Sequence, residues 1–190
     1  MTSMNKPRLL VFAGPDGAGK SSITDCYDLE GLYTNADEIK RIRQCTDLEA
    51  ATEAEIMRED CLQKCKSFTF EAVLSTPRNL DLLIRAKQAG YHIKSVFVMT
   101  SDPEINVFRI KSRTYDGGHD VPTGKVRSRH HKSLRNLREL VALSDECCVY
   151  DNTREPRIVF FKDKQEQVVY ENQYWSRKKL ERLLICNAGR

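Results

Sequence analysis

Nine consecutive residues near the start of the chain, Gly14-Pro15-Asp16-Gly17-Ala18-Gly19-Lys20-Ser21-Ser22, set two glycines, a lysine and a hydroxyl at the spacing of a phosphate-binding loop. In such a loop the glycines let backbone N–H groups turn inward around phosphate oxygens. Lys20 is then expected at the β- and γ-phosphates, and the Ser21 hydroxyl on Mg²⁺. An apolar run, Leu9 to Ala13, precedes the motif, and a helix is expected to start within it. That strand–loop–helix context gives the pattern its specificity for ATP or GTP. No Asn-Lys-x-Asp motif for guanine, no Leu-Ser-Gly-Gly-Gln signature and no apolar run ending in Asp-Glu occurs. The small P-loop kinases remain, in which a basic lid closes over the transferring phosphate.

A kinase also needs a base, a substrate site and a lid. Asp37 follows an expected short strand and lies a little beyond the loop, where a carboxylate can take the proton of an acceptor hydroxyl. The alternative is that Asp37 caps the helix that follows it. Glu71 interrupts an apolar strand, which is costly unless the carboxylate is paired, at a cleft or on a solvated face. Ser75 and Thr76 follow at that strand's C-terminal end, where open α/β sheets bind ligands. Arg109 and Arg113 lie one helical turn apart, Gly117-Gly118 then breaks the chain, and Arg129 falls on the next helix. Arginine forks on a glycine hinge suit a phosphate clamp. Arg127 is a weaker fourth candidate. His119 is either a phosphate ligand or a partner for the turn's backbone. His130 and His131 are adjacent on a helix and are expected at the surface.

Several segments, in order, resemble the zeta toxin family of P-loop kinases: Asn35-Ala36-Asp37-Glu38-Ile39, Phe70 to Ser75, Gly90-Tyr91, Asp102-Pro103, Arg109, Gly117-Gly118-His119-Asp120-Val121-Pro122, Arg129, Ser133-Leu134-x-Asn136-Leu137 and Tyr150-Asp151-Asn152. The resemblance covers residues 8 to 152 and points to a compact branch of the family. It implies transfer of the ATP γ-phosphate to a sugar hydroxyl of UDP-N-acetylglucosamine. It also implies Asp37 as base, Glu71 at the sugar or uridine, and inhibition by an antitoxin. Little sequence precedes the first strand, so the antitoxin is expected to be a separate chain. The better-known toxins carry their second lid arginine before the Pro-containing turn. Here His119 to Pro122 stand there, which leaves open which arginine takes that role.

The elements that must position these groups follow from pattern. Strands are expected at Leu9–Ala13, near Leu32–Asn35, at 67–74, at Tyr91–Met99, at Cys147–Tyr150 and at Arg157–Phe161. The last should pair with Val168–Tyr170 across a polar turn. Helices are expected at 50–65, at 78–89 with Gly90 closing it, from a Ser101-x-x-Glu104 capping box, at 123–144, and at 175–184 anchored by Trp175. Alternating strands and helices predict an α/β fold of three layers, the P-loop NTPase type, with a mainly parallel sheet and a helical lid over about 109–138. All 190 residues read as one domain.

Composition narrows the class. Hydrophobic residues make up 40% and charged residues 31%, which excludes a disordered or collagen-like chain. No apolar run reaches the roughly 18 residues that span a bilayer, and no signal peptide is evident, so a cytoplasmic protein with no membrane partner is expected. The seven cysteines have no C-x-x-C spacing and suit a reducing compartment. Net charge is +4, yet nine Lys/Arg face two acids between Arg109 and Arg138. Only Tyr115 interleaves with those cations, which argues against a nucleic-acid surface and for a lid.

Overall fold

The computed structural model describes residues 6–115 and 121–185, with the side chains of Thr114 and Tyr115 left aside. In chain order the elements are β1 (Arg8–Ala13), α1 (Lys20–Thr24), β2 (Leu32–Thr34), α2 (Ala36–Arg43), α3 (Asp47–Gln63), β3 (Phe68–Ala72) and α4 (Arg78–Gln88). Then come β4 (His92–Met99), α5 (Pro103–Tyr115), α6 (Thr123–Leu143), β5 (Glu146–Asp151), β6 (Arg157–Lys162), β7 (Gln167–Val169) and α7 (Arg177–Leu184). The seven strands form one sheet in the order β2-β3-β1-β4-β5-β6-β7. The first five of that order are parallel, and β6 and β7 are antiparallel. The expected pairing of the last two strands is found, Phe160 facing Val169.

β1 shows why its sequence is continuously apolar. It lies at the centre of the sheet, and its alternate residues feed two cores. Leu9, Val11 and Ala13 pack on the face covered by α4, α6 and α7. Leu10 and Phe12 pack on the opposite face against Ala18, Ile23, Val96 and Val98, with Tyr27 edge-on to Phe12. The first face carries the larger core, in which Trp175 is buried beside Leu180 and Leu184, as its anchoring role requires. The second layer is thin and consists largely of the phosphate loop and α1.

Two local expectations change. The start of α5 is not a Ser101–Glu104 box: the Asp102 carboxylate accepts from the Glu104 N–H, and the Ser101 N–H goes to Thr153. Glu104 is thereby left for Arg127 on α6. A capping box does exist, at α3, where Thr46 and Glu49 bond reciprocally; such caps contribute about 1 kcal/mol. His130 is not at the surface. It is 2% exposed, between α6 and Thr100.

The described cysteines are free thiols: Cys61, Cys147 and Cys148 are buried, Cys45 is half-buried, and Cys26 and Cys65 are exposed. Burial pushes Cys147 up to about 12, which keeps it an inert thiol. Among the described residues no helix is long and apolar enough to cross a membrane.

Candidate active site at the phosphate loop and its groove

β1 leads into the loop at the middle of the sheet. Gly14 N–H extends the ladder to Ala72 O at 3.2 Å. A Cβ on Gly14 would lie 2.1 Å from Val98 O, so no other residue fits there. Gly19 has φ 90°, and a Cβ there would lie 2.4 Å from Asn152 Nδ2. Two asparagines hold the loop from outside. Asn106 Nδ2 donates to Asp16 O at 2.6 Å, and Asn152 Nδ2 to Ala18 O at 2.8 Å. Lys20 Nζ bridges the loop from within, donating to Gly14 O at 3.0 Å and Pro15 O at 3.4 Å. α1 has only five residues, so the loop's own N–H groups must supply most of any phosphate affinity.

From Lys20 a string of polar contacts runs to the edge of the sheet. Glu71, at the end of β3, lies 3.9 Å from Lys20 Nζ and is almost buried. Tyr33 Oη donates to Glu71 Oε2 at 3.1 Å, and Asn35 Nδ2 donates to Tyr33 Oη at 3.2 Å. Asn35 Oδ1 accepts from Asp37 N–H at 3.0 Å and so caps α2. The cap role considered for Asp37 therefore belongs to Asn35. The Asp37 carboxylate has no partner among the described residues. Glu71 is paired rather than solvated, which resolves the cost of a carboxylate in that strand. Burial first, and then the Glu71 charge, raise the pKa of Tyr33, so its phenol stays a donor.

A groove of about 1090 Å³ opens beside this string. Its walls include Ser21, Tyr27, Tyr33, Asp37, Arg41 and Arg113. Three residues chosen from sequence thus meet in one concavity: Ser21 from the loop, Asp37 from α2 and Arg113 from α5. Glu71 stands behind Tyr33 and does not line the groove. Ser75 and Thr76 follow Leu74, whose positive φ of 57° turns the chain after β3. Asn136 Nδ2 holds Leu74 O at 2.9 Å and Ser133 Oγ holds Val73 O at 2.7 Å, which gives that part of the sequence pattern a structural role.

The arginines separate. Arg113 is exposed in the groove. Arg109 turns to the loop after β5, with Nη2 3.4 Å from Thr153 O and Nη1 buried without a partner. Burial lowers its pKa. Arg127 grips both oxygens of Glu104 at 2.5 and 2.9 Å and braces α5 against α6. Arg129 Nη1 lies 3.2 Å from Asp16 Oδ2. His119 lies outside the described residues.

Nothing in the sequence marks Arg58. It is buried on α3, donates to Thr34 Oγ1 at 2.9 Å and to Glu71 O at 3.4 Å, and stacks 4.5 Å over Phe70. It thus ties β2 and β3 together under the site, and burial pulls its pKa to about 10. Tyr33 could have been found as a polar aromatic in the short strand that precedes Asp37.

No cluster of three or more His, Cys, Asp or Glu suits a metal among the described residues. Mg²⁺ bound with a nucleotide usually takes only one or two protein oxygens, the rest coming from phosphates and water. Ser21 in the groove offers such an oxygen.

No family model matches the chain. A Haemophilus influenzae protein of uncharacterised function is 23% identical over 129 residues, 65% of this chain and 92% of that one. Among solved structures, one from the PezAT chromosomal toxin–antitoxin system of Streptococcus pneumoniae superposes with a TM-score of 0.59 at 18% identity, covering 96% of this chain and 80% of that one. The AvrRxo1-ORF1:-ORF2 complex with ATP gives 0.67 at 16% identity over 88% of this chain, which spans only 62% of its counterpart. The Pnkp1/Rnl/Hen1 RNA repair complex gives 0.55 at 18% identity over 69% of this chain and 45% of that one. The fold is shared with these proteins. At such identities the likeness is one of fold, and the chemistry rests on the site.

Proposed function

We propose that the protein is an ATP-dependent phosphotransferase of the zeta toxin type. It moves the γ-phosphoryl group to a hydroxyl of UDP-N-acetylglucosamine or a similar sugar nucleotide. The observation that carries this reading is the groove shared by Ser21, Asp37 and Arg113, which joins a phosphate loop to an unpaired carboxylate. The loop from Gly14 to Ser22 cradles the triphosphate, and Lys20 neutralises its β- and γ-oxygens. Mg²⁺, held by Ser21 and the nucleotide, supplies further charge neutralisation when bound. The acceptor hydroxyl gives its proton to Asp37 as its oxygen bonds to the γ-phosphorus, the bond to the bridging oxygen breaks, and ADP leaves. Arg113, with Arg129 and His119 as further lid groups, stabilises charge on the transferring phosphoryl, while Arg109 braces the loop after β5. Glu71, Ser75 and Thr76 are candidate contacts to the acceptor. A neighbour solved with ATP and another from a toxin–antitoxin system support the ATP reading and a separate antitoxin partner. The nucleic-acid alternative loses support because Arg127, Arg129 and Arg138 of the basic stretch are each engaged within the protein.

The test is incubation with Mg-ATP and UDP-N-acetylglucosamine, with Lys20→Ala as control and mass spectrometry as readout. A product heavier by one phosphoryl group, absent from the control, is expected. No product with ATP binding intact removes this acceptor and leaves the phosphotransferase reading to a metabolite screen.

A further inference from the structure

We infer that Asp16 is a positioning residue: the phosphate loop's own carboxylate holds Arg129 of the lid at the loop's rim, ready for the terminal phosphate of the donor. The inference rests on the nucleotide-binding reading above and adds a group to it. A carboxylate in a loop that must accept a polyanion is adverse by charge alone. Here it is only 14% exposed at its side chain, and Arg129 Nη1 lies 3.2 and 3.4 Å from its two oxygens. Both helices of the lid region converge on this one residue. From α5, the fully buried Asn106 donates to Asp16 O at 2.6 Å, and Asn106 Oδ1 accepts from Thr100 Oγ1. From α6, Arg129 takes the carboxylate, while its neighbour His130 donates from Nε2 to Thr100 O at 3.1 Å. Asp16, Asn106, Thr100, His130 and Arg129 thus close a ring that locks residue 16 to both helices.

A guanidinium has five N–H donors in one plane. Among the described residues only Nη1 of Arg129 is engaged, so Nε and Nη2 keep an edge for phosphate oxygens. Asp16 therefore neutralises itself and aims a cation with the same bond. The effect is local, since α6 is separately fixed by Arg127 to Glu104 and by its buried face.

The role predicts a signature that a purely structural salt bridge lacks. Asp16→Asn removes a negative charge from the loop, so KM for ATP falls, by about threefold. It also releases Arg129, so kcat falls, by about tenfold. ADP release is the assay, since it needs no known acceptor. Arg129→Gln lowers kcat by itself, and the double variant is no slower than Arg129→Gln alone, because Asp16 acts through Arg129. A KM that rises, or losses that multiply in the double variant, overturns the proposal. If the wild-type protein neither binds ATP nor releases ADP, the kinase reading fails on its own account. The positioning claim is then decided in the free protein by side-chain ¹⁵N NMR of Arg129. Hindered guanidinium rotation in wild type that is freed in Asp16→Asn sustains it; equal rotation in both refutes it.

Discussion

The half of the site that would hold the phosphate donor and the half that would hold the acceptor are built by different means. The donor half grows from β1, at the centre of the sheet, and is fixed by side chains remote in sequence, Asn106 and Asn152, with no space at Gly14 for even a methyl group. The acceptor half hangs on β2, a three-residue edge strand, and on α2, which buries none of its residues. Its order comes from a chain of polar contacts, Glu71 to Tyr33 to Asn35, and from Arg58 beneath. One half is a rigid cradle set by sterics. The other is a surface held by hydrogen bonds, the kind of region that opens locally at low cost. A fixed phosphate chemistry at one end and an adjustable substrate at the other would suit that division.

Removing a group from each half should break the comparison in different ways. Lys20→Ala should give the largest effect, loss of ATP turnover by about a thousandfold or more, because among the described residues no other cation lies inside the loop. Asp37→Asn should reduce phosphoryl transfer by about 10² to 10⁴, the usual range for a positioned base, while ATP affinity stays within about twofold. Titration with a fluorescent ATP analogue beside a transfer assay checks both. Near-normal transfer in Asp37→Asn would remove the base assignment and leave α2 as scaffold.

The arginines sharpen the division further. Arg113 stands in the groove, whereas Arg109 rests on the loop after β5 that carries Asn152 and so braces the cradle. Arg113→Ala is expected to lower kcat by about a hundredfold with little change in KM. Arg109→Ala is expected to raise KM for ATP by about tenfold with a smaller change in kcat. Steady-state ADP release separates the two, and identical profiles would show that both act at one place.

The same division decides what could be read from sequence. β1 from Leu9 to Ala13 and the second half of β4, Val96 to Met99, are legible because strand segments buried on both faces are apolar throughout. The loop is legible because its glycines answer a steric demand that is local in sequence. α2 was visible only as a helix following a cap, since it is eight mostly polar residues long, carries only two isoleucines, Ile39 and Ile42, and buries no side chain. Asn106 and Asn152 reach the loop from 90 and 134 residues away, and Arg58 meets Glu71 only once two strands and a helix have assembled. Such partnerships exist only in three dimensions. The Ser101–Glu104 box failed for a similar reason, because Glu104 had a better offer from Arg127 across the helix pair.

His130 shows how the buried side of that lock should respond to pH. A helix position next to a second histidine reads as surface, yet α6 packs this face on Thr100. Nε2 donates to Thr100 O, and Nδ1 is buried without a partner. A second proton on Nδ1 would have no acceptor, and burial accordingly lowers the pKa from its ordinary value of 6.5. The unfolded chain therefore takes up the proton first. Above pH 6.5 the group is neutral in both states and has no effect on the balance. As pH falls below 6.5 the unfolded state binds more protons, and stability drops by up to about 1.4 kcal/mol per pH unit from this residue. Urea unfolding of wild type and His130→Gln between pH 7 and 5 measures it. The variant should be less stable at pH 7, having lost part of the Thr100 contact, but its curve should be the flatter of the two. Parallel curves would mean that the ring finds an acceptor on protonation, and that the lock between α6 and the phosphate loop loosens before the fold does.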